Sequence, residues 1–447
     1  EIDPAYNVEL YASEPMFADP VAMEIDEDGR VYVVQNSGYP LDTEDGLGKI
    51  WLLEDTNGDD RYDVKTRIIG GLDTADTHHT ANSFTFDPSG SVYFQEGTFH
   101  HSQPETPWGS PVRVANGAVF KYEPRTGKVG LYTSYGFANP HGHAFDAWGN
   151  DIVVDGTGAV PYWGSVFSTR LDGMDKHGGA PSVYGQRTRP CPGIEFLSSP
   201  HFPAEFQGNL LVGNVIGFQG ILRYTFNKGD GSYPEATEAE PIVSSSDPNF
   251  RPADLELGPD GAIYFTDWQN PIIGHMQHNL RDPSRDRIHG RVYRVVMDGK
   301  PVAKPTPIAG RGVTELVALL ADPIDRVRYR ARLELSGRPE AEVVPAVQAW
   351  LAKLDPQAAE YQHHVDVGLH GDGGRLDGAA RDQRLLLLGA QVGGHLLGRG
   401  VLTGAVVGDG GRLHRGVALA HVHVPDGLGL RLGLGGEPGG LRAVQHH

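Results

Sequence analysis

Thr77-His78-His79-Thr80-Ala81-Asn82-Ser83-Phe84-Thr85-Phe86-Asp87-Pro88-Ser89-Gly90-Ser91-Val92-Tyr93-Phe94-Gln95-Glu96 decides the fold. It reads as polar residues, a strand, a tight turn at Asp-Pro-Ser-Gly and a second strand. The pattern returns around Gly29, Gly149, Gly208 and Gly261, so the spacings from Gly29 onward are 61, 59, 59 and 53 residues. No copy has a complete hydrophobic core of its own, so the copies must pack together.

A third strand follows each hairpin: Gly48-Lys49-Ile50-Trp51, Gly117-Ala118-Val119-Phe120, Gly164-Ser165-Val166-Phe167, Gly220-Ile221-Leu222-Arg223 and Gly290-Arg291-Val292-Tyr293. A fourth is visible in Arg67-Ile68-Ile69 and Leu131-Tyr132-Thr133. Four antiparallel strands per unit, repeated radially, make a β-propeller; five repeats are visible and six blades are possible. Val8-Glu9-Leu10-Tyr11 is expected to close the ring as the outer strand of the blade whose third strand is 290–296. That closure hides edges that would otherwise pair with other chains.

Residues 1–307 are assigned to this all-β propeller. After Pro307 the apolar period lengthens to that of helices, and residues 308–364 read as a HEAT-like helical repeat. Residues 365–447 form an aberrant Gly/Leu/Val-rich tail without Ser, Asn, Lys, Ile, Met, Cys or any aromatic of the Phe, Tyr and Trp kind. Except for Thr403, each residue type there has a codon beginning with G or C, so we expect a frameshifted or disordered segment. The chain starts at Glu1 without a Met or a signal-like run, so it is expected to be processed, trimmed or a fragment.

A net charge of −19 argues against a nucleic-acid partner. No run approaches the roughly 20 apolar residues of a membrane span. Cys191 is the sole cysteine, so neither an internal disulfide nor a C-x-x-C-H haem site exists in this chain.

The start of each first strand and the end of each second strand share the end of the blade opposite the turn. Gln35, Glu96, Asp155, Asn214 and Asp267 stand six residues after each turn glycine, a polar column at that end. His79, Asn82, Asn139, His141, His201, Arg251 and Asp254 precede the glycines by seven to eleven residues. Together they are expected to ring a channel mouth. His beside a carboxylate suits general-base work, because the carboxylate fixes the tautomer of a group that titrates near neutral pH. Polar strand ends also simply meet water or cap turns. His141 and His143, two apart on a strand, could reach one ion. Phe99, Trp108, Tyr162, Trp163 and Trp268 lie on connections near the mouth and could stack on a ligand or pack the blades. Separately, Asp55, Asn57, Asp59 and Asp63 place oxygen ligands at alternating positions, resembling the opening of a calcium loop.

His78-His79-Thr80-Ala81-Asn82-Ser83, Phe99-His100-His101, Gly136-Phe137-Ala138-Asn139-Pro140-His141-Gly142-His143, Arg189-Pro190-Cys191-Pro192-Gly193 and Asp267-Trp268-Gln269-Asn270-Pro271 resemble the Pirellula/Verrucomicrobium-type membrane-bound dehydrogenases. The propeller of that family is similar to soluble quinoprotein glucose and sorbosone dehydrogenases. The resemblance implies a sugar or alcohol substrate, pyrroloquinoline quinone as cofactor, and His79 as the base. His141, Asp267 and Glu96 would join it in catalysis, while Asn82, Asn139, Arg251, Asp254 and Trp268 would bind the cofactor. It also implies an extracytoplasmic (periplasmic) location and electron transfer to a cytochrome-type haem domain absent from this chain. Ala138 and Ala253 stand where the quinoproteins carry arginines. Two other readings remain open: a lactonase-like metal-dependent hydrolase using Glu96, Asp155, Asn214 and Asp267, and a non-catalytic binding scaffold.

Overall fold

The computed structural model describes residues 6–13, 20–25, 31–35, 49–53, 69–72, 81–87, 91–123, 126–134, 139–156, 160–164, 182–185, 188, 193–227, 234–273, 282–355 and 357–358. The chain divides into two units, Glu1–Asp377 and Gly378–His447, and everything described belongs to the first.

Five antiparallel sheets make up the β part among the described residues. Blade one holds β2 (Pro20–Ile25), β3 (Val31–Gln35) and β4 (Lys49–Leu53). Blade two holds β5 (Asn82–Phe86), β6 (Val92–Glu96), β7 (Ala118–Glu123) and β8 (Lys128–Thr133). Blade three has β9 (Pro140–Phe145), β10 (Asp151–Asp155) and β11 (Val160–Trp163). Blade four has β12 (Ile194–Phe196), β13 (Leu210–Asn214), β14 (Gly220–Phe226) and β15 (Ala236–Ser244). Blade five has β16 (Pro252–Leu257), β17 (Ile263–Asp267), β18 (Arg291–Met297) and, outermost, β1 (Tyr6–Ser13). The first strand thus pairs with the last, Tyr6 opposite Met297, as the sequence predicts. The protein is an all-β propeller followed by a short helical part.

Blades three, four and five are each sandwiched between two others, so their middle strands are apolar on both faces. In β10, Ile152 and Val154 join the core shared with blade four, whereas Val153 packs with Tyr93 and Val119 of blade two. In β13, Leu210 and Val212 face that same core, and Leu211 faces the one shared with blade five. Unbroken runs such as Leu210-Leu211-Val212 record this double burial. The turns are pinned in a repeated way. Asp87 accepts from Tyr93 Oη (3.0 Å) and Lys121 Nζ (3.1 Å), and Asp260 accepts from Tyr264 Oη (3.0 Å) with Arg294 3.6 Å away. Gly149, Gly208 and Gly261 adopt φ of 81°, 73° and 83°, a region costly for side-chain-bearing residues.

Two expectations need correction. The third strand of blade three is Val160–Trp163, not the run from Gly164, because the chain after Asp155 turns back within four residues; 165–167 lie outside the described residues. His201 is not at the mouth. A thirteen-residue connection with a 3-10 turn (Ala204–Phe206) separates β12 from β13 and carries His201 to the turn end. There Nε2 accepts the Met297 N–H (2.9 Å), tying blade four to the end of β18. Burial, with Lys300 adding, holds its pKa below the ordinary value, although Asp260 pulls the other way. The fold therefore favours the neutral ring. Its contribution is full above the unfolded pKa of about 6.5 and fades as pH falls through the lower folded value. The stability gap between the native protein and His201→Phe should be wide at pH 7.5 and narrow at pH 5 in urea titrations; an equal gap at both would remove His201 from the latch.

The helical part contains α1 (Val313–Leu319), α2 (Asp325–Ser336) and α3 (Glu340–Leu351). Their core is Leu316, Val317, Leu320, Val327, Ala331, Leu335, Val343 and Val347. Among the described residues no helix is long and apolar enough to cross a membrane.

Candidate functional site at the open end of the ring

Inner strands are edge strands, and their exposed N–H groups need acceptors. At three blade junctions a side chain of one blade accepts from the next blade's inner strand. Ser83 Oγ takes the Gly142 N–H (2.7 Å), Glu195 Oε2 the Leu257 N–H (3.4 Å) and Asp254 Oδ2 the Met23 N–H (3.0 Å). Asp254, the residue closing the ring from blade five to blade one, thus has a structural task. Asp254→Ala leaves the buried Met23 N–H without that acceptor and should cost about 1–3 kcal/mol in chemical denaturation. A loss within experimental error would show that water replaces it.

Four of the five inner strands bulge near the end opposite the turn. Val21, the pair Ser83–Phe84, the pair His141–Gly142 and Ala253 are the sites where the register slips. Bulges re-aim side chains and often flank binding sites. Ser83 takes φ 53° and Gly142 φ 100° to make theirs. Ser83 Oγ also donates to Asn82 Oδ1 (2.8 Å), and Gln95 Nε2 donates to Gly142 O (2.9 Å). Asn82, Ser83, Gln95 and the His141–Gly142 bulge therefore form one cluster across blades two and three. Glu96 follows Gln95, is 2% exposed, and lies 3.8 Å from the Nδ1 of equally buried His100. His100 was legible only as half of a His-His pair; its buried placement beside Glu96 comes from the connection after β6.

The polar column does a second job. Asp155 Oδ1 accepts the Asn139 N–H (3.0 Å), and Asp267 Oδ1 accepts the Arg251 N–H (2.8 Å), sixteen residues away in each case. The following N–H groups, Gly156 and Trp268, donate back to Asn139 O and Arg251 O. The two carboxylates thereby close the open ends of their hairpins. Burial pushes the Asp267 carboxyl up against the lowering effect of those bonds and of Arg291. Asn214 is fully buried, its side-chain amide set beside the Ile216 and Phe218 carbonyls, which suit its NH2 group as partners. Arg251 is 6% exposed, and its guanidinium donates to the carbonyls of Val215, Asn270 and Pro271. Arg291 donates to Gln269 Oε1 (2.7 Å) and lies 3.4 Å from Asp267.

The histidine pair expected to share an ion is divided in use. His143 is buried, with Nε2 2.7 Å from Asp151 Oδ2, while Tyr132 Oη donates to Asp151 Oδ1 (2.8 Å). Its ring packs among Tyr93, Tyr132 and Phe145 between blades. His141 is half-buried on the bulge. Trp163 belongs to the core and donates to Pro234 O, Trp268 is half-buried, and Phe99 and Trp108 are exposed. His79, Cys191 and the calcium-loop residues Asp55, Asn57, Asp59 and Asp63 lie outside the described residues. Among the described residues no group of three or more His, Cys, Asp or Glu is placed to hold a metal.

The profile of a domain of unknown function, DUF7133, matches residues 1–64 and 46–299. The chain belongs to DUF7133. That span takes in all five blades of the DUF7133 propeller and stops before α1. Solved structures similar to it include a luciferin-regenerating enzyme (16% identity, TM-score 0.41, covering 67% of this chain and 99% of that one). The soluble aldose sugar dehydrogenase of Escherichia coli is another (13%, 0.39, 65% and 99%). So is the PQQ domain of pyranose dehydrogenase from Coprinopsis cinerea (11%, 0.36, 66% and 96%). No curated protein matches the chain.

Proposed function

We propose that the open end of this DUF7133 propeller binds a sugar or alcohol and oxidises it. The observation that carries this reading is the character of the mouth. Asn82, Glu96, Asn139 and His141 bring neutral or acidic hydrogen-bonding groups to this end, Ser83 and Gln95 brace the bulges between them, and Arg251 and Arg291 are engaged by the protein. Uncharged hydroxyl-rich molecules match such a lining, which offers an anion little. The resemblance to Pirellula/Verrucomicrobium-type and quinoprotein dehydrogenases points the same way and supports an extracytoplasmic location.

His79 is the proposed base, taking the hydroxyl proton as hydride leaves the same carbon. Glu96, His141 and Asp267 would hold the neighbouring hydroxyls or the His79 ring. The hydride would go to a two-electron acceptor of the quinone class, supplied from outside the described residues. The described residues do not fit pyrroloquinoline quinone. Its carboxylates need cationic partners, yet Arg251 is spent on carbonyls and alanines occupy 138 and 253. A calcium ion at Asp55, Asn57, Asp59 and Asp63 would have a structural role.

Turnover of aldoses and primary alcohols should be measured with an artificial electron acceptor, with and without added quinone and calcium. Turnover with at least one substrate is expected. His79→Ala should lower it about 10²-fold or more with the circular dichroism unchanged. Absence of turnover across the panel would remove the oxidoreductase reading, and an undiminished His79→Ala rate would remove His79 from it. The hydrolase reading needs Glu96, Asp155, Asn214 and Asp267 on one ion, whereas Asp155 and Asp267 each accept a backbone N–H of their own hairpin.

A further inference from the structure

Helix α2 lies against the end of the ring opposite the bulges. Arg326 donates to Glu195 of β12 and to Glu256 of β16. The Asp325 N–H donates to Ser198 O, just beyond β12 (3.2 Å). Tyr329 meets Phe86, the last residue of β5, edge to face at 5.7 Å. A cavity of about 30 Å³ lies under the helix, enough for a water, and His143 to Asp146 at the turn end of β9 complete its wall. One helix therefore contacts blades two, four and five at the turn ends of their inner strands and faces blade three across that cavity. A helix that spans blades two to five in this way lies across the end of the ring.

The join is not that of a repeat stacking on its neighbour. Successive HEAT units meet through apolar helix faces, whereas α2 meets the propeller with charge. Arg326, Glu195 and Glu256 are each no more than 12% exposed as side chains. Arg328 is bonded to Ser198 Oγ and to Asp325, and Arg330 and Arg332 are buried as well. A buried ion cluster is weak evidence for stability but strong evidence of a fixed arrangement, since each member is costly to leave alone.

We propose that α2 is the fixed floor of the propeller channel, locked by Glu195, Arg326 and Glu256, so that the channel is blind and ligands use the bulged end alone. The helical part is then a component of the propeller site rather than a separate docking module. This does not depend on which reaction occurs at the mouth.

Ala144, in β9 and 4% exposed, lines the cavity and serves as a reporter. In a Cys191→Ser background of the full chain, Ala144→Cys should react slowly with a maleimide. Adding Arg326→Ala should speed it at least tenfold, while a second reporter at Val119→Cys in β7 stays slow. Fast labelling of Ala144→Cys with Arg326 in place overturns the proposal, as does a rate that Arg326→Ala leaves unchanged. Equal acceleration of both reporters would mean global opening and also overturns it. Where Arg326→Ala fails to fold, Glu256→Gln replaces it, with the same selective acceleration expected and its absence equally fatal.

Discussion

Arg326→Ala should lower stability by about 3–5 kcal/mol, because it leaves Glu195 and Glu256 buried without their cation. The sign is fixed by desolvation. Burial already pushes the Glu195 carboxyl up, and Arg326 is the main influence pulling it down. Without the guanidinium, both carboxyls must protonate or the helix must move. Urea or guanidinium denaturation followed by tryptophan fluorescence reads the loss. A change below about 1 kcal/mol would mean that the floor relaxes into water at little cost, the behaviour of an exposed pair.

Phe265→Ala should cost a similar amount, about 3–5 kcal/mol, by a different mechanism. Its ring is fully buried between blades four and five, edge-on to Phe250 at 5.8 Å and stacked on Tyr293 at 5.3 Å. Neighbours in a strand sandwiched on both faces cannot collapse into the void, so the cavity term adds to the lost transfer energy. Phe265→Leu should recover more than half of the loss. Equal losses for Ala and Leu would indicate that the ring's shape, rather than its volume, is what the blade requires.

The ring was legible from runs and turns. Leu210-Leu211-Val212 alternates between two cores and stands in the sequence as an unbroken apolar run, and β1 matched the strand it replaces. The bulges were not legible, because Ser83 at φ 53° has no signature in residue type. Nor was the bond from Arg326 to Glu195, whose partners stand 131 residues apart. The polar column was read from spacing as a channel-mouth lining. Asp155 and Asp267 close hairpins, a use that spacing alone does not separate from ligand binding. His201 misled because the glycine-anchored count assumed a tight turn like Asp87-Pro88-Ser89-Gly90 where thirteen residues intervene.

The pairing of β1 with β18 sets a timetable for biogenesis. Leu10 must wait for Tyr293, roughly 280 residues later, which at about 5–20 residues per second is on the order of 15–60 s of synthesis. During that interval the nascent first strand presents unsatisfied backbone to its surroundings, and once made, the sheet that will receive it does so until the two meet. A crowded pool of such chains can exchange first strands with one another, giving intertwined dimers whose yield rises with the concentration of nascent chains.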